Sequence, residues 1–256
     1  MQTRTRPPPQ YPGTKKKYCL CCGITVGASD QPRLNKGWAN ASWERKQQII
    51  EDHKYFELGT FHYLANDPRV PAPVRATFSS YGLCADEFQK FGNMPPQIYI
   101  RISNRLVGDY VMTQNNIANP RSKADSIGVG DWSFDEHMVG KYAVPDAAGK
   151  MIVTLEGNFW PNLPNNTNWY DVPYAIMLPK RGTGANLLVP VALSASSVAY
   201  SSTRIENMFM SLGTAAGVAA EQVVSGAVKA VQDVDVGKVQ GVLTGVFAQR
   251  IHGPPK

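Results

Sequence analysis

Apolar residues recur every three or four positions after Ser42, which is the pattern of an amphipathic helix. Ser42 is a suitable N-cap, and Glu44 favours the positive end of the helix. Asp67–Pro68 predicts its end, and a short second helix is predicted from about Val74 to Gly82. The predicted buried stripe of the first helix consists of Ile49, His53, Phe56, Thr60 and Leu64.

After Phe91 the pattern changes to alternation of polar and β-forming residues, which predicts strands. The predicted strands cover residues 97–101, 105–113, 126–130, 151–155, 174–178 and 186–189. A loop rich in Asn, Pro and Trp separates two of them, at residues 158–171. Loops of that length inside a compact domain are often functional.

Helical periodicity returns near the end of the chain. One helix is predicted from about Glu206 to Val224 and a final one from about Asp235 to Ala248. Gly213 and Gly217 lie four residues apart and therefore on one helix face, where small residues allow the close approach of a backbone or a flat ligand. Tight packing of this helix against a sheet would explain the two glycines equally well.

The pattern divides the chain into four parts. Residues 1–35 are predicted to be a disordered basic, Pro-rich tail, and residues 36–92 a helical segment. Residues 93–182 are predicted to be β-rich, and residues 183–256 return to helices. The tail weakly resembles a secretory signal, because basic residues precede a short apolar run that ends at Val26-Gly27-Ala28.

Charge and composition exclude several classes of function. The net charge of the 256 residues is +6, and five basic residues lie among the first 17, where no acid occurs. The remainder has a charge of only +1, which argues against a nucleic-acid partner. No apolar run reaches the roughly 20 residues of a membrane span, so a soluble protein is predicted. The four cysteines lack the paired spacing of a zinc or iron–sulfur site, so neither metal cofactor is predicted.

Catalytic motifs are sparse. The densest group of titratable residues is Asp135-Glu136-His137, which is a candidate site or a solvated turn. Gly128-Val-Gly130 and Gly182-Thr-Gly184 both lack the third glycine of a dinucleotide-binding turn.

Several segments, taken in order over residues 40–245, resemble one known family. The most specific are Pro173-Tyr-Ala-Ile-Met-Leu-Pro-Lys-Arg181, Asn186-Leu-Leu-Val-Pro-Val191 and Leu212-Gly-Thr-Ala-Ala-Gly217. Weaker ones are Arg105-Leu-Val-Gly-Asp-Tyr-Val-Met-Thr113 and Asp125-Ser-Ile-Gly-Val-Gly130. Together they resemble the C-terminal part of FAD-dependent oxidoreductases of the xanthan-lyase-associated and heterodisulfide-reductase-A-like group.

The resemblance implies a fold, a cofactor and a set of site residues. The fold would be a mixed α/β (α+β) Rossmann-like flavoprotein with a β-rich substrate domain. The strand at 186–189 would return to the FAD domain, and the helix from Glu206 would point its N-terminus at the flavin. His137 and Arg204 would be catalytic for a small organic substrate. The residues expected at FAD are Arg204, Glu206, Ser211, Gly213, Thr214 and Ala215.

The chain departs from the family pattern at three positions. Ala175 stands where the family often has Arg, Ser197 where it often has His, and Asn207 where Pro is common. The N-terminal FAD fingerprint is also missing, so we expect a C-terminal segment of a longer enzyme that alone does not hold FAD tightly. A truncated or degenerate non-catalytic homologue that keeps the fold is therefore an alternative function.

A third function is a secreted carbohydrate-binding module. Trp160, Trp169 and Tyr170 surround the Asn-rich loop, and aromatic faces pack on sugars.

Overall fold

The computed structural model describes residues 31–157 and 169–253, which form two compact units. The first contains residues 31–100 and 137–157, and the second contains residues 101–136 and 169–253. The structure mixes helices with small antiparallel sheets, as the sequence predicted. Residues 1–30 and Trp160 lie outside the described residues. In the described part of the chain, no helix is long and apolar enough to cross a membrane.

Both predicted helices of the first unit are present, but the buried stripe predicted for the first one is wrong in part. Only Ile49 is fully buried, whereas the other four residues of the stripe are partly exposed. Helix α1 covers Trp43–Asn66, and the Ser42 side chain accepts a hydrogen bond from the Arg45 amide at its start. Helix α2 covers Ala72–Phe78 and begins two residues earlier than predicted, because Pro73 in its first turn already has a helical φ.

A β-hairpin completes the first unit. Strands β2 (Gly140–Pro145) and β3 (Met151–Glu156) pair antiparallel along their full length. Asp146 fixes the connecting turn, because its Oδ1 accepts from the amides of Ala148 and Lys150 at 2.9 Å each. Strand β3 was predicted, whereas β2 was not.

The second unit is built on the antiparallel pair of β1 (Ser126–Gly130) and β4 (Tyr170–Pro173). Helices α5 (Glu206–Val224) and α6 (Val236–Gly245) pack against β1. The short helices α3 (Gln114–Ala118) and α4 (Ser197–Thr203) lie against each other. The fully buried members of this core include Ile127, Val172, Ile176, Met177, Leu193, Leu212, Ala215 and Leu243.

Strand prediction was wrong at residues 97–101, 105–113, 174–178 and 186–189. Tyr174–Met177 is a 3₁₀ helix, and the other three segments contain no strand. Isolated hydrogen bonds hold them instead, such as Leu106 N–H to the Ala192 carbonyl at 2.8 Å and Val189 N–H to the Met177 carbonyl at 3.0 Å. Alternation alone was therefore a poor guide to strands here, because a strand also needs a neighbouring strand that completes its hydrogen-bond ladder.

Candidate functional site

A cluster of buried ion pairs in the second unit includes Asp135, the first residue of the predicted Asp135-Glu136-His137 site. Arg204 follows the last residue of α4, and its guanidinium donates to Asp135 Oδ2. Both residues are 7% exposed. Arg101 holds the same residue from another side, with its Nη2 3.3 Å from Asp135 Oδ1 and 2.6 Å from the Asp135 carbonyl oxygen. Asp135 is thus an ionised carboxylate between two arginines.

Helix α4 positions Asp135. The Asp135 amide donates to Ser201 Oγ at 3.2 Å, and Ser202 Oγ donates to the Trp132 carbonyl. The Tyr170 hydroxyl lies 2.8 Å from the same Ser202 oxygen. Ser201 and Ser202 of α4 therefore hold residues 132–135 against the core.

Glu136 is the second carboxyl of the cluster. Burial raises its pKa, and the positive charges of Arg101, Arg105 and Arg204 oppose that rise only in part. Its Oε1 is buried and has no hydrogen-bond partner. Two adjacent carboxyls thus occupy different environments, since Asp135 is ion-paired and Glu136 is not held by a hydrogen bond at this oxygen.

Replacing Glu136 by glutamine is expected to change how stability depends on pH. A raised pKa means that the folded state binds more protons than the unfolded state above the ordinary glutamate pKa, so parent stability falls as pH rises through the folded-state value. Glu136→Gln lacks this loss, so its melting temperature relative to the parent's should rise as pH increases above the ordinary glutamate range. Calorimetry of both proteins checks this, with the exposed Glu221→Gln as the matched control.

His137, the predicted acid or base, directly follows Glu136 in the chain. The structure places it in the first unit, where it is partly buried. The unit boundary falls between these two residues, so Glu136, and not His137, belongs to the same compact unit as Arg204.

The residues predicted at FAD fall on different faces of α5. Gly213 is exposed, and nothing lies within 4 Å of where its Cβ would be. Gly217, one turn later, is open in the same way. Thr214 is half-buried, whereas Ala215 is fully buried in the core. The interpretation of Gly213 and Gly217 as packed against a sheet is wrong, because their shared face is open in this structure.

Two polar residues of the first α5 turns are also accessible. Glu206 is exposed at the first helical position, next to Arg204 in the chain with one residue between. Ser211 is half-buried, and its Oγ donates to the Asn207 carbonyl at 3.1 Å. The open face of α5, defined as Met210, Gly213, Thr214 and Gly217, begins two turns after Arg204. It has no side chain at the two glycines, and the exposed Met210 and the half-buried Thr214 lie beside them.

Other candidate features have a structural explanation. Tyr170 is 1% exposed, so its ring offers no face to a sugar. His53 Nδ1 donates a hydrogen bond to the Ile49 carbonyl oxygen at 2.7 Å, within α1. A cleft of about 640 Å³ in the first unit, between α1 and the hairpin, is lined mainly by apolar and aromatic residues, with Lys141 as its charged residue. Among residues 31–157 and 169–253, no group of three His, Cys, Asp or Glu side chains could hold a metal ion.

Comparison with family models decides the classification. A model described as FAD dependent oxidoreductase matches residues 5–243, which is most of the chain. The chain belongs to the FAD-dependent oxidoreductase family. No curated protein and no solved structure matches it.

As a member of this family the chain needs a surface for a flat cofactor. The open face of α5 fits that requirement, because Gly213 and Gly217 present bare backbone to open space two and three turns after the start of the helix. A Gly-rich turn for the pyrophosphate cannot be read in the sequence. The described residues therefore fit the isoalloxazine ring of FAD better than its ADP half.

Proposed function

We propose that this chain is part of an FAD-dependent oxidoreductase that moves a hydride between a small organic substrate and the flavin. The match to the family over residues 5–243 supports the class of reaction. The open face of α5 is the observation that supports the place of the cofactor. When bound, FAD supplies the two-electron acceptor or donor that no amino-acid side chain provides.

In this proposal α5 holds the isoalloxazine ring. Gly213 and Gly217 let the ring lie close to the helix backbone, and the Thr214 hydroxyl lies at the edge of the same strip. The N-terminus of α5 favours negative charge, and Glu206 and Ser211 offer polar groups near that end.

Arg204 acts as a positioning residue in this arrangement. Its guanidinium is bound to the buried Asp135, so it fixes the junction between α4 and α5. His137 is proposed as an acid or base at the substrate, as its place beside the two carboxyls in the sequence suggested. Within the family, the segments around Pro173–Arg181 and Leu212–Gly217 favour the heterodisulfide-reductase-A-like group.

A non-catalytic homologue that keeps the fold is the second candidate. It is favoured by the three residues at which the chain departs from the family pattern, because each of them has a structural role here. Ser197 begins α4, Ala175 lies in the 3₁₀ helix, and Asn207 accepts from the Met208 amide through its own side chain. Flavin binding without any reduction by candidate donors would support this alternative.

Gly213→Leu tests the cofactor surface. We expect the variant to melt at the same temperature as the parent or slightly higher, because the new side chain meets open space and leucine favours helix more than glycine does. We also expect it to lose the quenching of flavin fluorescence that excess parent protein produces. Added FMN should be quenched as well as FAD, and ADP should not compete, since the proposed contact is with the ring alone.

Val224→Leu provides a matched control, because Val224 is exposed on the same helix but beyond the open face. It should quench flavin as the parent does. Unchanged quenching by Gly213→Leu would contradict the proposed surface. A purified parent that carries about one FAD per chain after desalting would contradict the expectation of weak binding and reveal a dinucleotide grip elsewhere.

A further inference from the structure

We propose that Glu136 is the proton-exchanging residue of this site, and that Asp135 beside it is a permanently ionised anchor. This inference rests on the proposed function, since it assigns a proton acceptor to the flavin-dependent oxidation. It moves the role of proton acceptor from His137 to Glu136, because Glu136 and not His137 belongs to the same compact unit as Arg204. The roles proposed for Arg204 and for the open face of α5 are unchanged.

The two neighbouring carboxyls are held differently. Asp135 forms an ion pair with Arg204 through Oδ2 and with Arg101 through Oδ1. The Asp135 amide donates a hydrogen bond to Ser201 Oγ. Protonating Asp135 would break both ion pairs, so this carboxyl keeps its charge. Asp135 Oδ1 and Glu136 Oε1 are both buried with no hydrogen-bond partner, but Asp135 Oδ1 lies 3.3 Å from the Arg101 guanidinium. A buried carboxylate oxygen without such a partner, as at Glu136, is in a costly state.

A proton relieves that cost. Burial costs a neutral carboxyl less solvation free energy than it costs a carboxylate. Burial is also the largest influence on the pKa of Glu136, which it raises. Enzymes frequently obtain acid and base roles from two titratable groups whose surroundings push their pKa values apart. The geometry thus divides the two roles between neighbouring residues: a fixed charge at Asp135 and an exchangeable proton at Glu136.

The charges that face Glu136 allow it both to accept and to release a proton. Arg101, Arg105 and Arg204 stabilise its carboxylate, and Asp135 destabilises it. Arg105 is itself fixed by a hydrogen bond from Nε to the Ala195 carbonyl at 2.9 Å. Three guanidinium groups against one permanent carboxylate leave the cluster positive, so Glu136 can lose its proton without leaving a net negative site.

The remaining requirement is that a substrate can reach the Glu136 carboxyl. Glu136 as a whole is half-buried, although Oε1 is buried. A carboxyl fully sealed in the core could not exchange protons with a substrate, and a fully exposed one would titrate ordinarily. Glu136 lies between these extremes.

In the proposed step, a donor substrate with an O–H or N–H next to the C–H bond to be oxidised would give that O–H or N–H proton to the Glu136 carboxylate. The C–H hydrogen would leave with its bonding electron pair as hydride, bound FAD would supply the acceptor, and a C=O or C=N bond would form in the substrate. The substrate loses two electrons and two hydrogens, of which Glu136 carries one as a proton.

The first measurement uses the chain without any ligand. Carbon-13 NMR of the glutamate side-chain carboxyls, titrated from about pH 4 to about pH 8, should show one that titrates above the ordinary glutamate range. That signal should be absent in Glu136→Gln and present in Glu221→Gln. A signal assigned to Glu136 that titrates like the exposed glutamates would overturn the inference.

The second measurement uses FAD as the probe. Excess chain and FAD, in weakly buffered solution with a pH indicator, are reduced with dithionite, and the protons taken up per FAD are counted. Parent and Glu221→Gln should take up more protons than Glu136→Gln, with the largest difference at the pH where Glu136 titrates in the first measurement.

The outcomes separate the two proposals. Equal proton uptake by parent and Glu136→Gln, with FAD bound to both, would overturn the role of Glu136 and leave the proposed function standing. Failure of the parent to quench FAD at any concentration would overturn the proposed function, and the carboxyl titration would then decide the protonation of Glu136 alone. If Glu136→Gln does not fold, Glu136→Asp takes its place. Aspartate keeps a carboxyl, but its shorter side chain moves that carboxyl away from its present position.

Discussion

Arg204→Met is expected to lower the free energy of unfolding by about 3–5 kcal/mol. The change leaves Asp135, which is 7% exposed, without its closest cationic partner, while Arg101 remains at 3.3 Å. The remaining ion pair with Arg101 compensates the buried carboxylate only in part, and this is costly because the interior solvates charge poorly. Urea denaturation of parent and variant, followed by circular dichroism, measures the difference.

Arg181→Met is the matched control for this prediction. Arg181 pairs with Asp233 at 2.8 Å, but the two side chains are 62% and 45% exposed. An exposed pair of this kind contributes at most about 1 kcal/mol, so the control should lose little stability. Equal losses in the two variants would show that the Arg204–Asp135 pair is not buried as described. Replacing Asp135 by leucine together with Arg204→Met should cost less than the sum of the two single changes.

Gly130→Ala is expected to destabilise the second unit by about 1–3 kcal/mol. Gly130 pairs with Tyr170 across β1 and β4, and a Cβ at this position would overlap the Tyr170 ring. The ring cannot move away easily, because it is 1% exposed and its hydroxyl is bound to Ser202. Thermal denaturation measures the loss.

Gly217→Ala, on the open face of α5, should have the opposite effect. A helical glycine in open space gains about 0.5–1 kcal/mol on replacement by alanine, because alanine loses less backbone freedom on folding. Should Gly130→Ala prove as stable as the parent, the close packing of Tyr170 on β1 would be contradicted.

The elements that sequence analysis located well are those whose signals are local. Helix α1 has its cap at Ser42 and its end at Asp67, and α5 begins and ends at the residues that its periodicity indicated. Strand β1 was located for the same reason. Strand β4 was missed because it follows a stretch of sequence rich in Asn and Pro, and its partner β1 is about 40 residues away in the chain.

The candidate site was only partly predictable. Asp135 and Glu136 were visible as a titratable cluster, and Arg204 through the family resemblance. Arg101 gave no local signal, because its contact with Asp135 spans 34 residues, and that of Arg204 spans 69. The open space around Gly213 was equally invisible, since a small residue in a helix is compatible with close packing or with none.

The central claim is that the open face of α5 receives the flavin ring. Its most direct test is to add FMN to the nitrogen-15-labelled chain and to follow the backbone amides by NMR. The account predicts that the largest, saturable shifts occur between Glu206 and Gly217, and that they are absent in Gly213→Leu. Shifts confined to α1 and the β2–β3 hairpin, or no shifts at saturating FMN, would contradict it.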